Sequence, residues 1–205
     1  MKIDPNDLDF VLSHESLVSS VVPRPIAFVS TVGSDGVFNL APYSFFSPLS
    51  VKPMFVGFNS SRKRSGKKKD TLINVEFCGD FALNLVTESL SEAMNKASTE
   101  YPIDVDEFKE VGLTPVKGDI IKSPMVKESP INMECRLVQL VEFGAFPRST
   151  FFIIGEVLKI HVRDDVYTNN KIDFTKLKAI GRMGGDLYCR TTDIFEMERP
   201  KSPSS

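Results

Sequence analysis

The sequence predicts a mainly β fold, a barrel or sandwich of short strands with a few inserted helices, and three observations predict it. Runs rich in β-branched and aromatic residues recur along the chain between Gly- and Pro-marked turns. Helical periodicity is confined to short stretches. No repeating strand-helix-strand order exists to build a doubly wound parallel sheet.

The elements follow in order. Asp4 before Pro5 reads as a helix opening, with Leu8, Val11 and Leu12 giving one apolar face, and Pro23 and Pro25 end anything helical. Residues 26–32 (IAFVSTV) and 37–40 (VFNL) flank the turn 33–36 (GSDG), which predicts a β-hairpin. Residues 44–46 and 54–58 are further strand material around a turn running from Pro48 to Pro53. A helix capped by Asp70 is predicted over 71–77, a buried strand over 81–86, and a helix over 89–97 with Leu90, Met94 and Ala97 on one side. A helical turn is expected in 104–111. After Pro130, Ile131, Met133, Cys135 and Leu137 alternate as in a strand, 151–162 forms a long strand, and 194–197 closes the series.

With 205 residues, 41% of them hydrophobic, the chain suits one well-cored domain, read as 1–199 with an unpacked tail over 200–205. The formal charge, 25 − 27 = −2, argues against a surface built throughout for nucleic acid or anionic membrane. No apolar stretch is long enough to span a bilayer and the N-terminus lacks the core of a secretion signal, so a cytoplasmic protein is expected. Cys78, Cys135 and Cys189 are odd in number and far apart, which fits reduced, buried thiols.

The inventory excludes several chemistries. His14 and His161 are the only histidines and no two cysteines are close, which leaves a zinc site or a hydrolytic triad without material; His161 reads as a hydrogen-bonded strand residue. Residues 181–185 (GRMGG) have the wrong spacing for a dinucleotide fingerprint, and no Walker loop exists. What stands out is the loop 59–71 (NSSRKRSGKKKDT), with six cations and four hydroxyl residues between a strand and a helix start. Free N–H groups and the positive helix end, with Lys69 and Thr71 beside them, make a phosphate site there, Asp70 turning its carboxylate to the helix as cap. A solvated basic loop, or a patch for a nucleic-acid backbone, is the alternative.

Three blocks then fall in order: 23–31 (PRPIAFVST), Gly36 with 39–46 (NLAPYSFF), and 69–74 (KDTLIN). Together they resemble the flavin reductase-like family, with weaker echoes in 81–86, 106–108, 134–135 and 181–188. The resemblance covers nearly the whole chain, and is strongest to flavoredoxin-type proteins and to reductase components of two-component monooxygenases. It implies an FMN-binding split β-barrel of Greek-key type. It places Arg24, Ser30, Thr31, Asn39, Ala41, Pro42, Ser44 and Ser47 near the ring or ribityl chain of FMN. Asn59, Ser60, Ser61, Lys69, Asp70 and Thr71 would surround the phosphate, and Arg182 belongs to a recurring late motif with Tyr188. It further implies a homodimer that takes electrons from NAD(P)H and passes them to free flavin or a partner monooxygenase, with no catalytic side chain of its own. The rival expectations are an FMN electron carrier with little NAD(P)H activity and, more distantly, a non-redox nucleic-acid or phosphate-ligand module using the loop 62–69, from which base-stacking aromatics are missing.

Overall fold

Seven antiparallel strands form one sheet, and the order in which they lie explains what is buried. The strands are β1 (Ala27–Val32), β2 (Phe38–Tyr43), β3 (Phe46–Val51), β4 (Met54–Ser61), β5 (Asp80–Leu85), β6 (Ile131–Phe143) and β7 (Thr150–Val162), arranged β2-β1-β5-β6-β7-β4-β3. The helices that matter below are α1 (Phe10–Ser20), α2 (Asp70–Cys78), α3 (Ser91–Lys96) and α4 (Glu107–Val111). The computed structural model describes residues 1–200, so the expected tail lies, apart from Pro200, outside the described residues.

The sheet curls until its ends approach. Tyr43 of β2 packs on Phe58 of β4 with ring centroids 5.0 Å apart, and the Asn59 N–H donates to the Phe45 carbonyl at 2.9 Å. The enclosed face carries Val29, Val56, Phe58, Phe81, Leu83, Cys135 and Ile153, and Leu72 and Val75 of α2 plug the barrel. Because successive strand residues point to opposite faces, Phe28 and Leu40 face outward instead. There they meet Leu90, Met94, Ala97 and Phe108, which carry α3 and α4 onto the sheet. The predicted split β-barrel is what these residues build.

Gly155 in β7 shows how tightly the barrel is filled. A Cβ there would clash with the edge of the Phe81 ring at Cζ and Cε1, and that ring is itself fully buried. Gly155→Ala is therefore expected to cost about 1–3 kcal/mol through overpacking. In a chain of this size that lowers the melting temperature by roughly 2–4 °C per kcal/mol, readable by thermal unfolding followed by circular dichroism. An unchanged melting temperature would show that the barrel has slack there.

Several expectations are corrected. Asp4 caps only a 3₁₀ turn, Pro5–Asp7, and the helix proper starts later, with the Asp9 side chain accepting from the Leu12 N–H at 2.8 Å. Val11 and Leu12 are consequently exposed rather than a packed face. β3 continues through Pro48 with a register shift between Pro48 and Ser50, tolerable because β3 is an edge strand, so the turn shrinks to residues 52–53. Residues 194–197 have no partner strand among the described residues and are exposed. Only Cys135 of the three free thiols is buried; Cys78 and Cys189 are half-buried. Asp70 is not the cap of α2, a point that bears on the site.

Candidate functional site

A groove runs between α1 and the open end of the barrel. Phe10, Ser13, His14 and Leu17, spaced to share one helix face, look across at Pro42, Ser44, Phe45, Asn59, Ser61 and Thr150, leaving a cavity of about 600 Å³. Arg24 holds this wall in place. Its guanidinium donates to the carbonyls of Val18, of Val21 at 2.9 Å and of Met183 at 2.8 Å, and to Ser44 Oγ at 3.4 Å. The C-terminal end of α1 is thereby tied to the turn between β2 and β3. Burial, with Arg182 nearby, lowers the Arg24 pKa.

Past Phe10, Ser61 and Arg148 the groove continues into a second cavity of about 490 Å³, walled by Arg62, Lys63, Arg64 and Lys69 with the exposed Glu100 at its edge. The cations of the loop are not equivalent. Arg62 pairs with Glu142 at 3.1 Å, donates to Ser149 Oγ at 2.7 Å and lies over the rings of Phe146 and Phe151, which makes it a strut between loops. Lys63 pairs with Asp70 at 2.8 Å and Lys68 with Glu76 at 2.6 Å. Lys69 has no carboxylate partner among the described residues, is half-buried, and holds its Nζ 5.7 Å from the centre of the Tyr43 ring. Burial is the main cause of its lowered pKa. Lys69 is also the N-cap of α2, and its side chain makes no capping hydrogen bond to that helix. The carboxylate expected to do so, Asp70, sits in the first turn and is engaged by Lys63.

Beneath this end lies a buried polar network. Thr71 Oγ1 donates to Asn39 Oδ1 at 2.6 Å, Thr31 Oγ1 reaches the same oxygen at 3.3 Å, and Asn74 Nδ2 donates to Thr31 Oγ1 at 3.0 Å. Asn39 Nδ2 in turn donates to Glu107 Oε2 at 2.5 Å. Tyr43 Oη, Asn59 Oδ1 and Ser60 Oγ are buried with no hydrogen-bond partner among the described residues.

The fold sorts the expected site residues into groups. Pro42, Ser44, Asn59 and Ser61 line the larger cavity, and Asn39, Ala41, Pro42, Lys69, Asp70 and Thr71 share a small one of about 110 Å³ beside it. Thr31 lies below, within the network, and Arg24 faces a neighbouring apolar cavity of about 280 Å³ against Leu17 and Phe45. Four residues point elsewhere. Ser30 faces outward and donates to the Pro124 carbonyl, Ser60 turns into the barrel, and Ser47 is exposed on β3 with its hydroxyl on the Pro48 carbonyl at 2.9 Å. Arg182 stacks 4.4 Å over Tyr188 and donates to the Gly185 carbonyl, locking the hairpin Ile180–Arg182 and Tyr188–Arg190. Sequence reading missed Phe10, His14, Leu17, Arg148 and Glu107. Only the i, i+3, i+4, i+7 spacing of Phe10, Ser13, His14 and Leu17 could have signalled any of them.

The sequence profile of the flavin reductase like domain matches residues 18–178. An uncharacterised protein of Halalkalibacterium halodurans is 34% identical over 98% of this chain and 97% of its own. Among solved structures, nitrilotriacetate monooxygenase component B from Bacillus cereus is 33% identical and superposes with a TM-score of 0.92, covering 96% of this chain and 98% of that one. The 2-nitrobenzoate 2-nitroreductase of Pseudomonas fluorescens follows at 27% identity and a TM-score of 0.88, over 98% and 96%. With its split barrel, its groove and these likenesses over almost its full length, the chain belongs to the flavin reductase-like family.

Proposed function

We propose that this protein is a flavin-dependent oxidoreductase that holds FMN in the groove between α1 and the barrel, takes electrons from NAD(P)H, and delivers them to free flavin or to a partner monooxygenase. The observation that carries this reading is the continuity of an apolar-walled cavity of about 600 Å³ with a largely cationic one whose half-buried Lys69 forms no ion pair among the described residues. The residues fit the group. Phe10, Leu17, Pro42 and Phe45 offer apolar surface for a flat ring, and the orphaned Asn59 Oδ1 offers an acceptor to a ribityl hydroxyl or ring N–H. Lys69, the uncapped start of α2 and Ser61 would hold the phosphate. FMN, when bound, supplies the redox chemistry by accepting hydride and passing electrons on. The protein's own part is to orient the ring, leave one face open and neutralise the phosphate.

Pairing of Arg62, Lys63 and Lys68 with carboxylates weighs against the loop as a nucleic-acid surface. The purified protein is expected to be yellow, to keep its visible bands through gel filtration at the mass of two chains, and to oxidise NADH or NADPH when FMN is present. A colourless protein that binds no added FMN would overturn the reading. Retained flavin with negligible NAD(P)H oxidation would assign the chain as an electron carrier instead.

A further inference from the structure

Glu107 is a buried carboxylate at the phosphate end of the groove with no part in the reading above. It is 5% exposed and lines the same small cavity as Lys69, Asp70 and Thr71. Both donors that reach it, the Leu40 N–H and Asn39 Nδ2, land on Oε2. Among the described residues no donor reaches Oε1, which is therefore free to carry a proton. Through Asn39 the carboxylate is wired to Thr71 in the first turn of α2.

We propose that Glu107 sets the charge of the phosphate end, so that a phosphomonoester such as that of FMN binds there with uptake of one proton from solvent onto Glu107. The inference rests on the FMN reading and specifies how that site selects its ligand. Lys63 and Asp70 cancel one another at 2.8 Å. That leaves Lys69 facing Glu107 and the exposed Glu100 in the small cavity, with Arg64 and Arg148 in the larger cavity beside it; protonation of Glu107 raises the charge at this end by one unit, which favours a dianion. Glu100, exposed at the cavity's edge, acts on Lys69 in both states of Glu107 and so leaves that one-unit difference unchanged; Asp35 is exposed in the neighbouring cavity, where solvent screens it, and Asp106 pairs with Lys109 at 3.1 Å. The phenols of Tyr43 and Tyr101 line the cavity; burial pushes that of Tyr43 up to about 12, which keeps it neutral.

The protonation equilibrium of Glu107 is poised for such a role. Burial raises its pKa to about 7, against the opposing pull of the Leu40 N–H and with Asp70 and Asp106 adding to the rise while Lys63 reduces it. An incoming dianion pushes it further up, which is proton uptake. Affinity is then fully developed below pH 7 and falls as pH rises through it. The phosphate's own second proton, titrating near pH 6, acts with the opposite sign, because preference for the dianion releases a proton.

Calorimetric titration of the full chain with FMN near pH 7.5, in two buffers of different ionisation enthalpy, reads the protons exchanged. Wild type is expected to take up a proton, with the FMN Kd rising roughly tenfold between about pH 7 and pH 9. Riboflavin, which lacks the phosphate, is expected to bind without uptake. Glu107→Gln is expected to bind FMN with neither uptake nor that pH dependence, and the wild-type and riboflavin titrations decide the matter even if this variant fails to fold. FMN binding without proton uptake in wild type, equal uptake with riboflavin, or uptake that persists in Glu107→Gln overturns the proposal and leaves the flavin site standing. Failure of FMN to bind at any pH overturns both.

Discussion

Glu134→Ala is expected to lower the stability of the fold by about 3–5 kcal/mol, as removal of one member of a buried charged network does. Glu134 sits within β6 and is 0% exposed. Its two oxygens accept from the backbone N–H groups of Asp119 at 3.0 Å, Ile120 at 2.6 Å and Ile121 at 2.9 Å, and they meet His161 Nε2 at 2.6 Å. Asp80 on the neighbouring β5 does the same for the N–H groups of Lys122 and Ser123, both at 3.1 Å. Two carboxylates thus lay the loop 119–123 across the outer face of the sheet by its backbone. Asp119, Glu134 and His161 bring potential metal ligands within 4.8 Å, but Glu134 already accepts from four groups and Asp119 is bonded to Lys159.

The consequence for pH has a definite sign. Burial works to raise the Glu134 pKa, but His161 and the three N–H groups outweigh it and hold the carboxyl down at about 2. A group depressed from about 4.3 in the unfolded chain contributes its stability above that value and loses it as pH falls toward 2. Guanidinium denaturation of wild type and Glu134→Ala at pH 7 and at about pH 3 measures this. The two curves are expected to lie far apart at pH 7 and to draw together in acid. A variant with the wild-type midpoint at pH 7 would show that the loop does not depend on the carboxylate.

How much of this could be read from the sequence depends on whether the cause was local. The hairpin of β1 and β2 was legible because apolar runs flank a Gly-Ser-Asp-Gly turn, and α2 because its pattern follows a cluster of polar residues. The alternation of Ile131, Met133, Cys135 and Leu137 announced β6 but not the burial of Glu134 on its other face, because the cover comes from a loop that approaches only in the folded chain. Residues 194–197 look like a strand and find no neighbour to pair with among the described residues. In the groove the excess of cations was visible, yet which of them stay free was set by Glu142, Asp70 and Glu76, remote partners chosen by the fold. Period two alone would have warned that Ser30 and Thr31 cannot face the same site: one points to Pro124, the other to Asn39.

Lys69→Met is the substitution with the largest expected effect on the proposed cofactor site. It removes the one half-buried cation of the loop that has no carboxylate partner among the described residues, while keeping an unbranched stem to pack by Tyr43. A hydrogen bond to a charged group contributes about 1.5–3 kcal/mol, so the FMN Kd is expected to rise roughly tenfold to a hundredfold. Riboflavin affinity is expected to stay as in wild type, because the change is confined to the phosphate. Stability is expected to hold as well, since burial already disfavours the charged form of Lys69 and the variant is relieved of that cost. Lys63→Met makes the contrast: it strands Asp70, whose side chain is only 13% exposed, and so is expected to lower stability together with FMN affinity. Fluorescence titrations of the three proteins with FMN and riboflavin, beside their thermal melts, separate the two roles. Equal FMN affinity in Lys69→Met and wild type would move the phosphate away from the start of α2, and a parallel loss of riboflavin binding would assign Lys69 to the ring rather than the phosphate.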